Sequence, residues 1–511
     1  MTALLFTSTI RRIEADGLAR TGPGELMARA ASAVADAVEE LLREGPVGRP
    51  VFAVCGPGNN GGDALLATLL LHERGFDARA FELAGCAAGA APPDDTARVR
   101  ARAAALGLSP TRLQSGDALQ ALFAPWTNGP ATGAPRPVPL VVDGLFGIGL
   151  ARPLDGLAAE LCRLLAGLES PVVAIDVPSG VDTDTGALVG PVAMPATLTV
   201  TMIGDKPGLH TGRALDHVGQ VRVAPLELDA SAQADGLLFG RCEAARRLPR
   251  RPRDSSKGTF GSVLVVGGGR GMTGAALLAA RAAQYGGAGK VWIASPQGPV
   301  FDPGQPQLMT RDADAGFDGV DVLVAGCGLG TEADARALLL RVLASPAAAV
   351  LDADALNLLA ADRRLALRPP VAAPDQSPRV LTPHPLEAAR LADCSAAEIQ
   401  RDRIGAASAL AGRYDAIVVL KGAGTVVARP DGRWAIIDAG GPALATAGTG
   451  DVLAGVIGSL LAQRLSAWDA SLLGCWVHGN AGDRWRAVGL SAAELPGLVR
   501  ESLAALTETP T

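Results

Sequence analysis

The stretch CGPGNNGGDALL, residues 55–66, sets Asn59, Asn60 and Asp63 among four glycines, directly after a short apolar run. Glycine lets a ligand approach the backbone closely. Free N–H groups at the start of the helix expected around Gly61 to Asp63 favour an anion. The loop therefore suits a phosphorylated ligand. The plainer reading is a tight turn capped by Asp63, but a turn needs only one of the two asparagines. The pattern is neither a P-loop nor GxGxxG. Three further clusters follow apolar runs: Asp143 in VVDGLFGIGLARPL (141–154), Asp176 and Ser179 in AIDVPSGVDTDTG (174–186), and Asp205, Lys206 and His210 in MIGDKPGLHTG (202–212). In a parallel sheet the carboxyl ends of strands open on one crevice, so these side chains converge. Asn60, Asp143 and Ser179 would offer hard oxygens, which suit an alkali or alkaline-earth cation rather than zinc. Each of the three alone reads equally well as a cap or turn residue.

The second half carries a sharper motif. In LATAGTGDVLAGVIGSLLA (444–462), Gly448, Thr449 and Gly450 precede Asp451 and an all-round apolar helix. Amides at such a helix start hold a developing anion, and a carboxylate beside them accepts a proton from a hydroxyl. VVLKGAGTVVA (418–428) reads as strand, tight turn, strand. Lys421 and the backbone through Thr425 would face a nucleotide, although Lys-Gly-x-Gly also marks plain hairpins. VLTPHPLEAARL (380–391) puts His384 between two prolines before a helix, as a positioned side chain or a structural one. VLDADALNLLA (350–360) adds Asp352 and Asp354 at a strand end, and AGCGLG (325–330) adds another glycine-rich one.

The elements that must hold these residues alternate. Strand-like runs are VFAVCG, ARAFEL, VPLVVDG, VVAIDV, ATLTVT and QVRVAPL in the first half. In the second they are SVLVVGG, KVWIAS, VDVLVAG, AAVLDAD, AIVVLKG and WAIIDAG. Helical segments such as GELMARAASAVADAVEELL (24–42) lie between or before them. This predicts α/β sheets with helices on both faces. A 511-residue chain has room for two to four domains. Aromatics are only 4%, so small aliphatic residues must fill the cores, as suits covered parallel sheets. Residues 227–240, ELDASAQADGLLFG, show no clear period and read as a seam. The arginine-rich run that follows, Arg246 to Arg253, reads as a solvated lead-in or as a positive rim. The proline-rich stretches 124–139 and 369–378 read as surface excursions.

A net charge of −6 speaks against a general nucleic-acid surface. Seven scattered cysteines without a CxxC pair speak against a disulfide framework or structural zinc and fit a reducing cytosol. No signal peptide and no membrane span are expected.

The GNNGGD, VDGLFGIGL and DVPSG loops together resemble the N-terminal domain of the NAD(P)H-hydrate repair enzymes. That resemblance implies a Rossmann-like three-layer domain over residues 1–228, an epimerase acting on NAD(P)HX, the hydrated cofactor. It implies K⁺ held by Asn60, Asp143 and Ser179. It implies substrate contacts from Asn59, Asn60, Gly61, Gly62 and Asp63, and from Gly147, Ile148, Gly149, Leu150, Ala151, Arg152 and Pro153. Asp176 is the candidate acid/base, with Lys206 a second. In the second half SKGTFGSVLVVGG, GMTGAA, GCGLG, LDADALN, TPHPLE, KGAGT and AGTGD resemble a ribokinase-like NAD(P)H-hydrate dehydratase, expected over 241–511 after a linker at 229–240. This implies substrate contacts at Ala275, Gly328, His384 and Asp451, with Asp451 catalytic. It implies nucleotide contacts at Lys421, Gly422, Ala423, Gly424, Thr425 and Gly450. By the same analogy Mg²⁺ serves and ADP is the phosphoryl donor. NADHX or NADPHX would be the substrate, in a homo-oligomeric cytoplasmic enzyme. Four residues depart from the family pattern: Ala64 for glycine, Ser256 for histidine, Cys327 for proline, and Leu386 for glycine beside His384. The competing readings are a ribokinase-like small-molecule kinase, and a dehydratase whose first half is a non-catalytic binding module.

Overall fold

The structure is a computed structural model and describes residues 2–86, 92–127, 137–230, 233–366 and 378–507. The proline-rich stretches fall largely outside the described residues. The chain divides into two compact units, at Asp235 and Gly236.

In the N-terminal unit seven parallel strands lie in the order Thr111–Leu113, Ala78–Leu83, Val51–Cys55, Leu140–Gly144, Val172–Ile175, Leu198–Met202 and Gln220–Ala224. The order reverses between Val51–Cys55 and Leu140–Gly144, where a crevice must open at the carboxyl edge. Both strands are buried along their whole length, which is why they read as unbroken apolar runs rather than alternating ones. Their register places Val54 beside Asp143 and Cys55 beside Gly144. Helix Asn59–Glu73 leaves directly from the first.

In the C-terminal unit the strands run Gly236–Phe239, Trp434–Ile437, Val426–Ala428, Ile417–Leu420, Arg379–Leu381, Ala348–Leu351, Val322–Ala325, Ser262–Val266, Lys290–Ala294 and Met309–Thr310. All neighbours are parallel except Val426–Ala428, which runs against both of its partners. That hairpin is the turn expected around Lys421. The order reverses between Ser262–Val266 and Val322–Ala325, again beside glycine-rich loops. Helix Thr449–Ala462 is buried nearly all round. Gly455 lets it cross helix Thr273–Tyr285 closely, since a Cβ there would sit 2.1 Å from the Ala279 carbonyl oxygen.

Two expectations change. The seam 227–240 is not structureless throughout: Gly236–Phe239 is a strand paired with Trp434–Ile437. Its partner is remote in sequence, so no local period betrays it. Gly236 lies flat on the Trp434 ring, where a Cβ would approach to 2.2 Å. Helix Asn59–Glu73 also begins earlier than expected, so Asp63 lies a turn inside it and is not its cap; Gly58 holds that position.

Among the described residues no helix is long and apolar enough to cross a membrane. All seven cysteines are free.

Candidate functional site

Each unit carries its own constellation. In the N-terminal unit a cavity of about 660 Å³ opens at the switch point. Asn59, Asn60 and Asp63 line it from the helix start, Gly147 to Leu150 from the second glycine-rich loop, and Asp176 from the end of strand Val172–Ile175. Gly61 and Gly62 are buried behind that wall. Gly61 packs on Gly56, and Gly62 on Met27 and Thr96, where side chains of their own would collide. Ala151, Arg152 and Pro153 are exposed and are not among the residues lining the cavity.

Asp176 takes a left-handed backbone conformation, φ 70°, rare outside glycine. Asp176 lines the cavity from there. One oxygen accepts from the Ile148 amide at 3.3 Å; the other accepts from the Met202 amide at 3.3 Å and pairs with Lys206 Nζ at 2.9 Å. Lys206 is fully buried and also donates to Thr201 Oγ1 and to the carbonyls of Met202 and Gly204. Gly147 lies against this group: a Cβ there would sit 3.0 Å from Asp176 and 3.4 Å from Asn60 Oδ1.

Asp143 is completely buried beneath the loop. It accepts from the Ser179 amide at 2.8 Å, the Ser179 hydroxyl at 2.8 Å and the Leu145 amide at 3.2 Å. Burial pushes its carboxyl up to about 6 despite those donors. Asn60 donates its amide to the Ile175 carbonyl at 3.2 Å, leaving Oδ1 as its acceptor. Ala64, the first departure, is accommodated by Gly144, whose missing side chain leaves room for the Ala64 methyl.

Sequence reasoning missed the helix Thr7–Leu18, which brings Arg11 and Glu14 to the same cavity, and the turn bringing Asp94, Asp95 and Arg98. Burial, then Asp176, pushes the Glu14 carboxyl up. Burial, then Asp176, Glu14 and Asp95, pushes Asp63 well up. Only the polar face of an otherwise ordinary amphipathic helix could have signalled Glu14.

In the C-terminal unit four strand ends converge under the start of helix Thr449–Ala462. Asp352 follows Ala348–Leu351 and is almost wholly buried. One of its oxygens accepts from Lys421 Nζ at 2.7 Å and from Thr382 Oγ1 at 2.8 Å. Burial opposes the Lys421 charge, but Asp352 and Glu387 outweigh it and hold the ammonium above its usual range. Gly450 sits directly above, where a Cβ would lie 3.1 Å from Lys421 Nζ. Asp451 has its carboxyl beside Asp352 and the Cys327 thiol, the three groups within 4.8 Å of one another. Burial, then the Asp352 charge, pushes Asp451 up to about 6. Gly448, at φ 90°, is the helix N-cap and supplies no side-chain acceptor. Among the described residues no side chain caps the amides at this helix start.

Gly422 and Gly424 take positive φ in the turn after Lys421. The buried Arg403 braces the turn, donating to the carbonyls of Leu420 and Lys421 at 3.1 and 3.3 Å. Ala423 is exposed; Thr425 donates to the Gly422 carbonyl. His384 is the cap of helix Pro385–Ala392: Nδ1 accepts from the Leu386 and Glu387 amides, so Nε2 carries the proton. Burial, then Lys421, holds its pKa below the usual value. Gly328 packs on Met272 and Ala275, which joins two of the expected substrate contacts. Leu386 is 56% exposed and Ser256 is exposed in a turn. His478, missed from sequence, is buried and meets the Thr449 carbonyl at 2.9 Å, pinning the helix start.

A strained aspartate over a buried lysine, and a helix-start aspartate over a lysine–aspartate pair, define a two-site α/β enzyme. Residues 23–208 match the family described as YjeF-related protein N-terminus, and residues 263–501 match NAD(P)H-hydrate dehydratase. A bifunctional NAD(P)H-hydrate repair enzyme of Coxiella burnetii is 37% identical over 90% of this chain and 90% of its own. One of Escherichia coli is 35% identical over 92% and 88%. The structure of an ADP/ATP-dependent NAD(P)H-hydrate dehydratase from Bacillus subtilis, co-crystallized with ATP/Mg²⁺, aligns at 30% identity. It covers 52% of this chain and 97% of its own, with a TM-score of 0.47. The chain belongs to the family of bifunctional NAD(P)H-hydrate repair enzymes.

Proposed function

We propose that the chain repairs hydrated NAD(P)H in two steps. The N-terminal unit interconverts the R and S epimers of NAD(P)HX, and the C-terminal unit dehydrates the S form at the expense of ADP, giving AMP and phosphate. Family membership supports the pairing of activities. The observation that carries the chemistry is Asp451: a carboxylate that, among the described residues, pairs with no lysine and sits at a helix start no side chain caps.

In the dehydratase reading, Asp451 takes the proton of the hydroxyl on ring carbon 6 as that oxygen attacks the terminal phosphorus of ADP. AMP leaves with the bridging electrons. The amides of Gly448, Thr449 and Gly450 hold the phosphoryl group in flight, and Mg²⁺ enters as part of the Mg–nucleotide. The ring nitrogen's lone pair then expels phosphate as the carbon–oxygen bond breaks, and loss of the proton on the adjacent carbon restores the dihydropyridine. The turn Lys421 to Thr425 would receive the nucleotide. Ala275, Gly328 and His384 would bound the substrate, with His384 Nε2–H as a donor.

In the epimerase reading, Asp176 moves the proton at the cavity mouth and Lys206 steadies its charge. Asn59 to Asp63 and Gly147 to Leu150 would seat the substrate, with the exposed Ala151 to Pro153 beyond. Potassium fits beneath: Asp143 is a fully buried carboxylate reached by N–H and O–H donors, and Asn60 Oδ1 and Ser179 complete a set of hard oxygens. A bound K⁺ would supply positive charge to a buried carboxylate and to the loop over it. The free cysteines suit a reducing cytoplasm, and a homo-oligomer is the expected assembly.

The test is the return of reduced-nicotinamide absorbance from mixed-epimer NADHX, with ADP, ATP or no nucleotide. Full, ADP-dependent recovery is expected. Recovery stopping at the S fraction would make the first half a binding module; a stable phosphorylated product would make the second half a kinase.

A further inference from the structure

We propose that the C-terminal unit carries a second ligand site, away from Asp451, for an organic polyphosphate: two or more phosphates on an aromatic or apolar body. A cavity of about 1010 Å³ opens among Arg246, Arg250, Arg251 and Arg500, and none of the described residues that line it is acidic. The chain as a whole carries a net charge of −6, so four guanidinium groups around one cavity run against its overall balance. The site does not depend on the dehydratase reading.

Local structure gathers the arginines. Helix Arg241–Arg247 stops before Leu248, and Pro249 cannot extend it. The chain then reaches the end of helix Thr273–Tyr285, where Arg251 donates to the Gly287 carbonyl at 2.9 Å and stacks on the Phe260 ring at 3.7 Å. Arg500 comes from helix Leu495–Ala505 and lies over the Tyr285 ring at 5.1 Å. Gln463 joins the wall and donates to the Gly286 carbonyl at 2.9 Å. The plainer role of a cation here is to satisfy the carbonyls at a helix end. Arg251 fills that role, and Arg246 lies 3.7 Å from Glu243. Among the described residues Arg250 and Arg500 bond to no carbonyl and pair with no carboxylate. Guanidinium forks match phosphate oxygens. Tyr285 and the leucines of the wall suit a flat or apolar body.

The cavity and the Asp451 site lie at opposite ends of shared helices. Helix Thr449–Ala462 begins beside Asp451, and Leu460 and Gln463 at its other end line the cavity. Its 14 residues, at about 1.5 Å each, hold the two ends about 20 Å apart. Helix Thr273–Tyr285 likewise starts beside Ala275 and ends on Tyr285.

The experiment is calorimetric titration of the full chain with ATP, in the parent and in Arg250→Ser/Arg500→Ser. Both arginines are exposed. The variant should bind one ATP fewer per chain, or bind that one at least about tenfold more weakly. Its kcat for ADP-dependent dehydration of S-NADHX should match the parent. Arg250→Lys/Arg500→Lys keeps the charge without the fork and should fall between. Equal stoichiometry and affinity in the parent and the serine variant would overturn the site. Inorganic triphosphate bound there as tightly as ATP would overturn the organic part of the ligand class. One ATP in the parent and none in the serine variant would keep this site and overturn the nucleotide reading of the turn Lys421 to Thr425.

Discussion

The two sites use the same parts and assign them differently. In the N-terminal unit the lysine pairs with the very aspartate that faces the cavity, Lys206 to Asp176 at 2.9 Å. In the C-terminal unit the lysine pairs one residue away from the chemistry, Lys421 to Asp352 at 2.7 Å. Among the described residues Asp451 has no ion pair of its own, and burial pushes it up to about 6. The lesson concerns where a buried positive charge is spent. The Asp176 carboxylate is aimed by its lysine and two amides. A carboxylate beside a satisfied ion pair is poised to accept a proton near neutrality.

The largest effects should separate the sites outright. Asp451→Asn should cut dehydration by about a thousandfold or more while epimer exchange continues. Asp176→Asn should cut exchange by about a hundredfold or more while S-NADHX is still dehydrated. Cross-effects in either variant, read by following both epimers by chromatography, would break the division of labour.

Next come the lysines. Lys206→Met and Lys421→Met each strand a buried aspartate, which should cost about 3–5 kcal/mol. Calorimetry should show the loss in the transition of the unit concerned. A small loss in either would mean its aspartate takes up a proton when unpaired.

A smaller effect tests the buried Asp143. A carboxyl raised by folding contributes stability that is complete below the unfolded value of about 4 and is lost as pH rises through about 6. A cation offsets that loss only where Asp143 is charged. K⁺ in place of choline should therefore raise the melting temperature by about 2–4 °C at pH 7.5, and hardly at pH 5. Asp143→Asn should remove the difference; an equal K⁺ effect at both pH values would disconnect the ion from Asp143.

The smallest effect concerns Leu386, whose exposure keeps its bulk out of packed surroundings. Leu386→Gly should change stability by no more than about 0.5 kcal/mol and leave the KM for S-NADHX near the parent value. A marked fall in KM would show that the leucine crowds the substrate.

The sequence by itself determined most strands of both sheets and the loops that end them, but not the short strands Thr111–Leu113, Met309–Thr310 and Arg379–Leu381. Buried parallel strands are continuous apolar runs, Asp143 and Asp176 each stand out as charge at or beside the end of one, and Asp451 stands out at the start of an apolar helix. It also determined the hairpin after Lys421, through its glycines. It did not determine the helix start at Asn59, because Gly58 caps without a side chain. It did not reveal strand Gly236–Phe239, whose partner lies almost two hundred residues on. Nor did it reveal Glu14 or His478, ordinary letters in helices until packing brings one to the cavity and the other to the Thr449 carbonyl.

Only the tertiary structure decided which lysine serves which aspartate, and that Cys327, Asp352 and Asp451 gather within 4.8 Å of one another. Those are contacts across strand ends far apart in the chain. Their energies depend on burial and distance, and neither quantity exists until the sheet has formed.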